Sequence, residues 1–237
     1  MRPELKEILK AIRAHSGQRA YVKWEGLRRT HLVVAGNFRE LRALLDRPSH
    51  DVEYFLELIQ NVRPSLVQDE FYDEVDRRLH NFVAAAATLI DHTRRLVDDY
   101  AGTSFAEEYT RRKDELIAQP EATFVRDLRN FVLHYGLPTI GGTFSIGKEA
   151  FGSQIEIPTA SLLTWKGWKP NSRRFLESRG EGVVLTEPLD AYAKSLDSLY
   201  QWLFPHRDVL HGAEIAEVNR LRDRFNETLT GRTPPSE

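Results

Sequence analysis

The chain has 237 residues, 41% of them hydrophobic and 29% charged, which is enough apolar material for a sizeable core and too much for a disordered polymer. Its 33 Lys and Arg against 35 Asp and Glu leave a formal charge of -2, so no global positive field draws in nucleic acid and any such contact has to be local. Cysteine is absent, which excludes disulfides, a thiol nucleophile and thiolate metal sites; no apolar run approaches a membrane span, and the expectation is a cytoplasmic protein with no membrane contact. Arg outnumbers Lys 25 to 8, a bias that suits bidentate phosphate or carboxylate contacts and equally suits an Arg-favouring codon usage.

In chain order, Pro3 and Glu4 open a helix carrying Leu5, Ile8, Leu9 and Ile12 at helical spacing and ending near Ser16-Gly17. Tyr21 to Val34 has mixed periodicity and reads as loop, strand or short helix. Asn37 to Leu45 reads as a separate short helix, and Ser49 or Asp51 caps another that ends or kinks at Arg63-Pro64. A long helix is predicted from about Asp69 to Tyr100, with Phe71, Val75, Leu79, Phe82, Ala86, Ile90 and Val97 as its core stripe. Two polar lines flank that stripe. One holds His80, Ala84, Ala87, Asp91 and Arg94; the other holds Asn81, Ala85, Thr88, His92 and Arg95.

Gly102-Thr103-Ser104 caps a charged helix over about 105–118, whose Arg111-Arg112-Lys113 reads as solvated surface. Pro120 to Thr123 starts the next helix, which runs to Gly136. Thr143 to Ile146 and Gln154 to Pro158 alternate around a Gly-containing connection and predict a hairpin; Leu162 to Trp168 reads as an edge element and Val183 to Leu185 as a short extended piece. Two further helices are expected from Pro188 and over about 208–229, followed by a flexible tail at 231–237. The sum is a mainly α chain, one helical domain over 1–230 with a β-rich insertion at about 139–187.

Chemistry concentrates in the helix that starts at Pro120. Phe124, Leu128, Phe131, Val132 and Tyr135 supply a packed face, and Arg126, Asn130 and His134 lie four residues apart on a neighbouring line. Arg129 is rotated about 100° from Asn130, within reach of that line. His134 falls in the last turn, where the helix dipole favours imidazolium; Arg129 suits a phosphate and Asn130 suits orienting His134 or a bound oxygen. Such a group fits metal-free RNA cleavage: a base removes the 2'-hydroxyl proton, that oxygen attacks phosphorus, and Arg steadies the pentavalent state. The products would carry a 5'-hydroxyl and a 2',3'-cyclic phosphate. The competing reading is a carbonyl-capping His, an Arg paired with Asp127 and an Asn that closes a turn.

The string Arg129-Asn130-Phe131-Val132-Leu133-His134 resembles the Arg-polar-x-x-x-His signature of the HEPN superfamily, helical proteins that include RNases of toxin–antitoxin, phage-defence and RNA-processing systems. The stretch from Arg78 to Arg94 also looks like part of uncharacterised bacterial and phage-encoded proteins of this type. The resemblance implies an HEPN-like bundle and a homodimer in which Arg129, Asn130 and His134 of both copies form one RNA-binding cleft. It also implies metal-independent endoribonuclease activity, with an antitoxin or other protein as a further partner. Some members of that superfamily bind nucleotides or proteins without catalysis, and a purely structural dimer is the third reading. The long N-terminal region and the insertion after Pro138 depart from the compact family form.

Arg126, Asn81, Asp91, His92 and Arg94 are the candidates for supporting or substrate-binding roles, since only one polar line of the long helix can face the site. Trp165, Lys166, Trp168, Lys169, Arg173 and Arg174 interleave aromatic and basic groups, which suits nucleic-acid contact or, as the favoured alternative, an insertion anchored by Trp with its cations in water. No His-Glu-x-x-His or phosphate-loop pattern is present, and neither metal nor cofactor is expected.

Overall fold

A computed structural model describes residues 2–60, 66–147 and 151–231. The Arg63-Pro64 helix end, part of the hairpin connection at 148–150 and the tail beyond Gly231 lie outside the described residues. The chain is mainly α-helical, with a small three-stranded antiparallel sheet inserted between helices. It divides into two compact units, the described residues of Met1–Arg29 with Tyr200–Glu237, and Thr30–Leu199.

In the first unit, α1 (Pro3–Ala14) packs on α10 (His206–Thr230). Pro3 sits in the first turn, where its missing N–H has no helical partner to lose. Ile8, Ile12 and Val218 form the buried core, with Leu221 and Phe225 against it. The start of α2 (Ser16–His50) closes on α10 at Gly17, where a Cβ would lie 2.1 Å from the Glu214 carbonyl oxygen. Only glycine permits that approach. Gly231 ends α10 in the left-handed conformation at φ 66°, donating its N–H to the Glu227 carbonyl.

Helix α2 is one element where the periodicity predicted an ambiguous stretch followed by a short helix. Trp24, Leu27, Val34, Leu41 and Leu45 are all buried and follow helical spacing across the whole length. Gly26 and Gly36 inside it cost about 1 kcal/mol each in propensity, less than the burial of two or three such side chains returns.

The second unit is built on α4 (Leu66–Asp98), with α3 (Val52–Ile59) packed on it. Asp51 caps α3 by accepting the Tyr54 N–H at 3.0 Å. Phe71, Val75, Leu79, Phe82, Ala86 and Leu89 of α4 are buried; Leu89 takes the core place expected of Ile90, which is only half-buried. Thr103 caps α5 (Ser104–Ala118), and α6 (Pro120–His134) packs against α4, α5 and α8. Phe124 and Leu128 of α6 are completely buried.

After α6, β1 (Gly141–Ile146) pairs antiparallel with β2 (Phe151–Pro158), Gly141 opposite Glu156 and Ile146 opposite Phe151. β3 (Gly182–Val184) pairs antiparallel with the other edge of β2. The stretch expected as an edge element is instead the short α7 (Thr159–Leu163) and a turn, closed by the Trp168 indole donating to the Leu162 carbonyl at 2.6 Å. Helix α8 (Pro170–Glu177) is an additional element that periodicity alone did not delimit; Phe175 and Leu176 bury one face of it. α9 (Thr186–Leu203) follows, with Leu189, Tyr192 and Leu196 buried.

Candidate anion-binding site

Helix α6 carries two faces with different fates. Phe124, Leu128 and Phe131 drive one face into the core, and the next line around the helix, Arg126 and Asn130 with Arg129 beside them, opens onto a cavity of about 240 Å³. Opposite walls come from α4, α5 and α9. Lys113, Lys169 and Asp91 complete the charged part of the lining, giving four cationic side chains against one carboxylate. The remaining surface is mostly aliphatic, including Val83, Ala86, Ala87, Leu116, Ile117 and Val125.

The guanidinium of Arg129 donates to Asn130 Oδ1 at 3.0 Å, so Asn130 holds the fork of Arg129 in place. Among the described residues Arg129 has no carboxylate partner, and its Nε is buried without a hydrogen bond. Arg126 has a carboxylate beside it: its Nε is also buried without a hydrogen bond, and Asp127 Oδ1 lies 4.0 Å away. A buried donor without an acceptor costs about 1–3 kcal/mol, and because neither Nε is open to solvent, an anion in the cavity would be met by the terminal nitrogens of the two guanidiniums. Lys113 is partly engaged by Asp114 at 3.3 Å, whereas the Lys169 side chain has no carboxylate within salt-bridge distance among the described residues.

Lys169 reaches the cavity because α8 is fastened to α6. Asp127, 1% exposed, accepts the Ser172 hydroxyl at 2.7 Å and the Lys169 backbone N–H at 3.3 Å, both through Oδ2. A side chain of α6 thus caps the N-terminus of α8, where the chain's own Lys169 supplies no side-chain cap. Tyr192 of α9 also lines the cavity; burial pushes its hydroxyl up to about 12, against the opposing charge of Arg126, so it serves as a neutral dipole.

The predicted residues separate. Arg126, Arg129, Asn130 and Asp91 meet at the cavity, whereas His134, one turn beyond Asn130, is exposed and does not line it. Of the two polar lines of α4, the one with Ala87 and Asp91 faces the cavity. The other turns toward α2, where His92 Nδ1 lies 3.1 Å from Thr30 Oγ1. Arg94 sits 3.7 Å from Asp91 outside the lining, and half-buried Asn81 is also outside it.

Trp168 is a correction to the set of nucleic-acid contacts. It is buried, with its ring near-parallel to Phe124 and Phe131 at centroid distances of 5.7 Å, and its indole N–H is spent on Leu162. It cannot stack a base. Trp165 is half-buried edge-on to Phe131 and Trp168, Lys166 is exposed, Arg173 lies 3.7 Å from Glu177 and Arg174 donates to Asn171.

Sequence reasoning missed Lys113, assigned to solvated surface, and the anchoring role of Asp127. The signal for Asp127 was present: it occupies a core position between Phe124 and Phe131, where a carboxylate needs buried partners. Among the described residues no group of three His, Asp or Glu side chains is placed to hold a metal ion, and no helix is long and apolar enough to cross a membrane. No family model, curated protein or solved structure matches the chain.

Proposed function

We propose that the cavity beside α6 binds a phosphate-bearing anion, as a noncatalytic HEPN-like binding module would. The observation that carries this reading is the convergence of Arg126, Arg129, Lys113 and Lys169 on one concave surface, where Asp91 is the one lining carboxylate and Asp127 stands 4.0 Å from Arg126. Guanidinium forks held by Asn130 on one side and by helix packing on the other are preorganised for tetrahedral oxygens. Calorimetric titration of the full chain with inorganic phosphate tests it. Binding that weakens at least tenfold in Arg126→Gln and in Arg129→Gln supports the assignment, and equal binding in all three proteins defeats it.

Metal-independent RNA cleavage is the second reading, favoured by the exposed His134 one turn from Asn130 on the same helix. His134 stands outside the cavity of its own copy, so a homodimer that faces two α6 helices would be the arrangement bringing a base to the phosphate. Such an enzyme would serve in defence or a toxin-related system, restrained by an antitoxin or another protein. Incubation with mixed RNA in chelator, comparing wild type with Arg129→Ala and His134→Ala, separates the two readings. Cleavage to 2',3'-cyclic phosphate ends that is lost in both variants establishes the enzyme; identical residual cleavage in all three excludes it.

A further inference from the structure

Resting on the anion-binding reading, the geometry points to a ligand whose anionic head is carried on a medium-length hydrocarbon chain, rather than a nucleotide. The lining combines two chemistries: Arg126, Arg129, Lys113 and Lys169 are cationic, while Val83, Ala86 and Ala87 of α4 and Leu116 and Ile117 of α5 offer no hydrogen-bonding side chain. Ala86 and Ala87 leave space that larger side chains would fill, so α4 is small where it lines the cavity.

A nucleobase fits that wall badly. Its ring nitrogens and exocyclic groups need donors and acceptors, and those buried against alanine, valine and leucine would go unsatisfied. The polar side chains outside the cationic group are few: Asn130, whose Oδ1 already accepts from Arg129, the buried Tyr192, and Asp91 at the exposed edge. An alkyl or acyl chain has no such requirement. It gains from each methylene removed from water, while its phosphate or carboxylate offers oxygens to the Arg126 and Arg129 guanidiniums that line the cavity.

The test is a homologous series of methyl, butyl, hexyl and octyl phosphate, each below its micelle threshold, titrated calorimetrically into the full chain beside AMP. Affinity should rise by roughly fourfold per methylene until the cavity is full, and octyl phosphate should bind more tightly than AMP. Ala87→Leu, which fills the apolar part, should abolish the chain-length dependence while methyl phosphate binding persists; the wild-type series stands alone if that variant does not fold. Methyl phosphate binding with no dependence on chain length, or AMP binding more tightly than octyl phosphate, overturns the hydrocarbon assignment and leaves the anion site standing. Failure of every phosphate to bind overturns both.

Discussion

The carboxylate of Asp127 in α6 accepts the hydroxyl of Ser172 in α8 at 2.7 Å, deep in the protein, and this bond sets where Lys169 stands. Removing it leaves a buried hydroxyl and the Lys169 N–H without an acceptor. Asp127→Ala should therefore cost about 2–4 kcal/mol in urea unfolding. Asp127→Asn, which keeps an acceptor oxygen, should cost about half as much and weaken phosphate binding less. A loss below about 0.5 kcal/mol in the alanine variant would show that the bond contributes nothing to the packing of α8.

Two glycines in α2 should respond in opposite directions to the same substitution. At Gly17 a methyl group would meet the backbone of Glu214, which cannot swing aside as a side chain can, so Gly17→Ala should destabilise by at least about 2 kcal/mol. Gly36 has open space at its Cβ position, and Gly36→Ala should stabilise by about 0.5–1 kcal/mol through helix propensity and a less flexible unfolded chain. Thermal melts of the two variants should shift on opposite sides of wild type; shifts of the same sign would contradict the close approach at Gly17.

Asp76 on α4 carries a pH signature. Burial, reinforced by the neighbouring charge of Asp73, raises its carboxyl from 3.8 to about 6, and its Oδ1 has no hydrogen-bond partner among the described residues. The folded state holds this proton more tightly than the unfolded chain, so the group's contribution to stability is full below pH 3.8 and is lost as pH rises through about 6. Asp76→Asn should raise stability above pH 6 by about 1 kcal/mol, allowing for partial solvent screening, and change it little below pH 4. A Tm difference independent of pH would remove the titration as its cause.

Much of the helical framework is legible in the residues, because α1, α3, α5, α6 and α9 announce themselves by apolar spacing and by a cap or a proline start, and α4 and α10 by apolar spacing. α2 is not, since Gly26, Gly36 and its scattered charges blur a periodicity that only burial of Trp24, Leu27, Leu41 and Leu45 restores. The site is half legible for a similar reason. Spacing on one helix placed Arg126 with Asn130 and Arg129 within their reach, but the same spacing put His134 with them, and it is depth along the helix axis that leaves His134 outside. Lys113 and Lys169 arrive from α5 and from the start of α8, and their approach depends on long-range packing through Asp127 that no local pattern encodes.

The most direct measurement is the location of a tetrahedral dianion in crystals of the full chain soaked in tungstate and mapped by its anomalous scattering. The account predicts the strongest peak inside the cavity between α4 and α6, within hydrogen-bond distance of the Arg126 and Arg129 guanidiniums, and its disappearance in Arg129→Gln. A strongest peak elsewhere on the protein, with no density in that cavity, would contradict it.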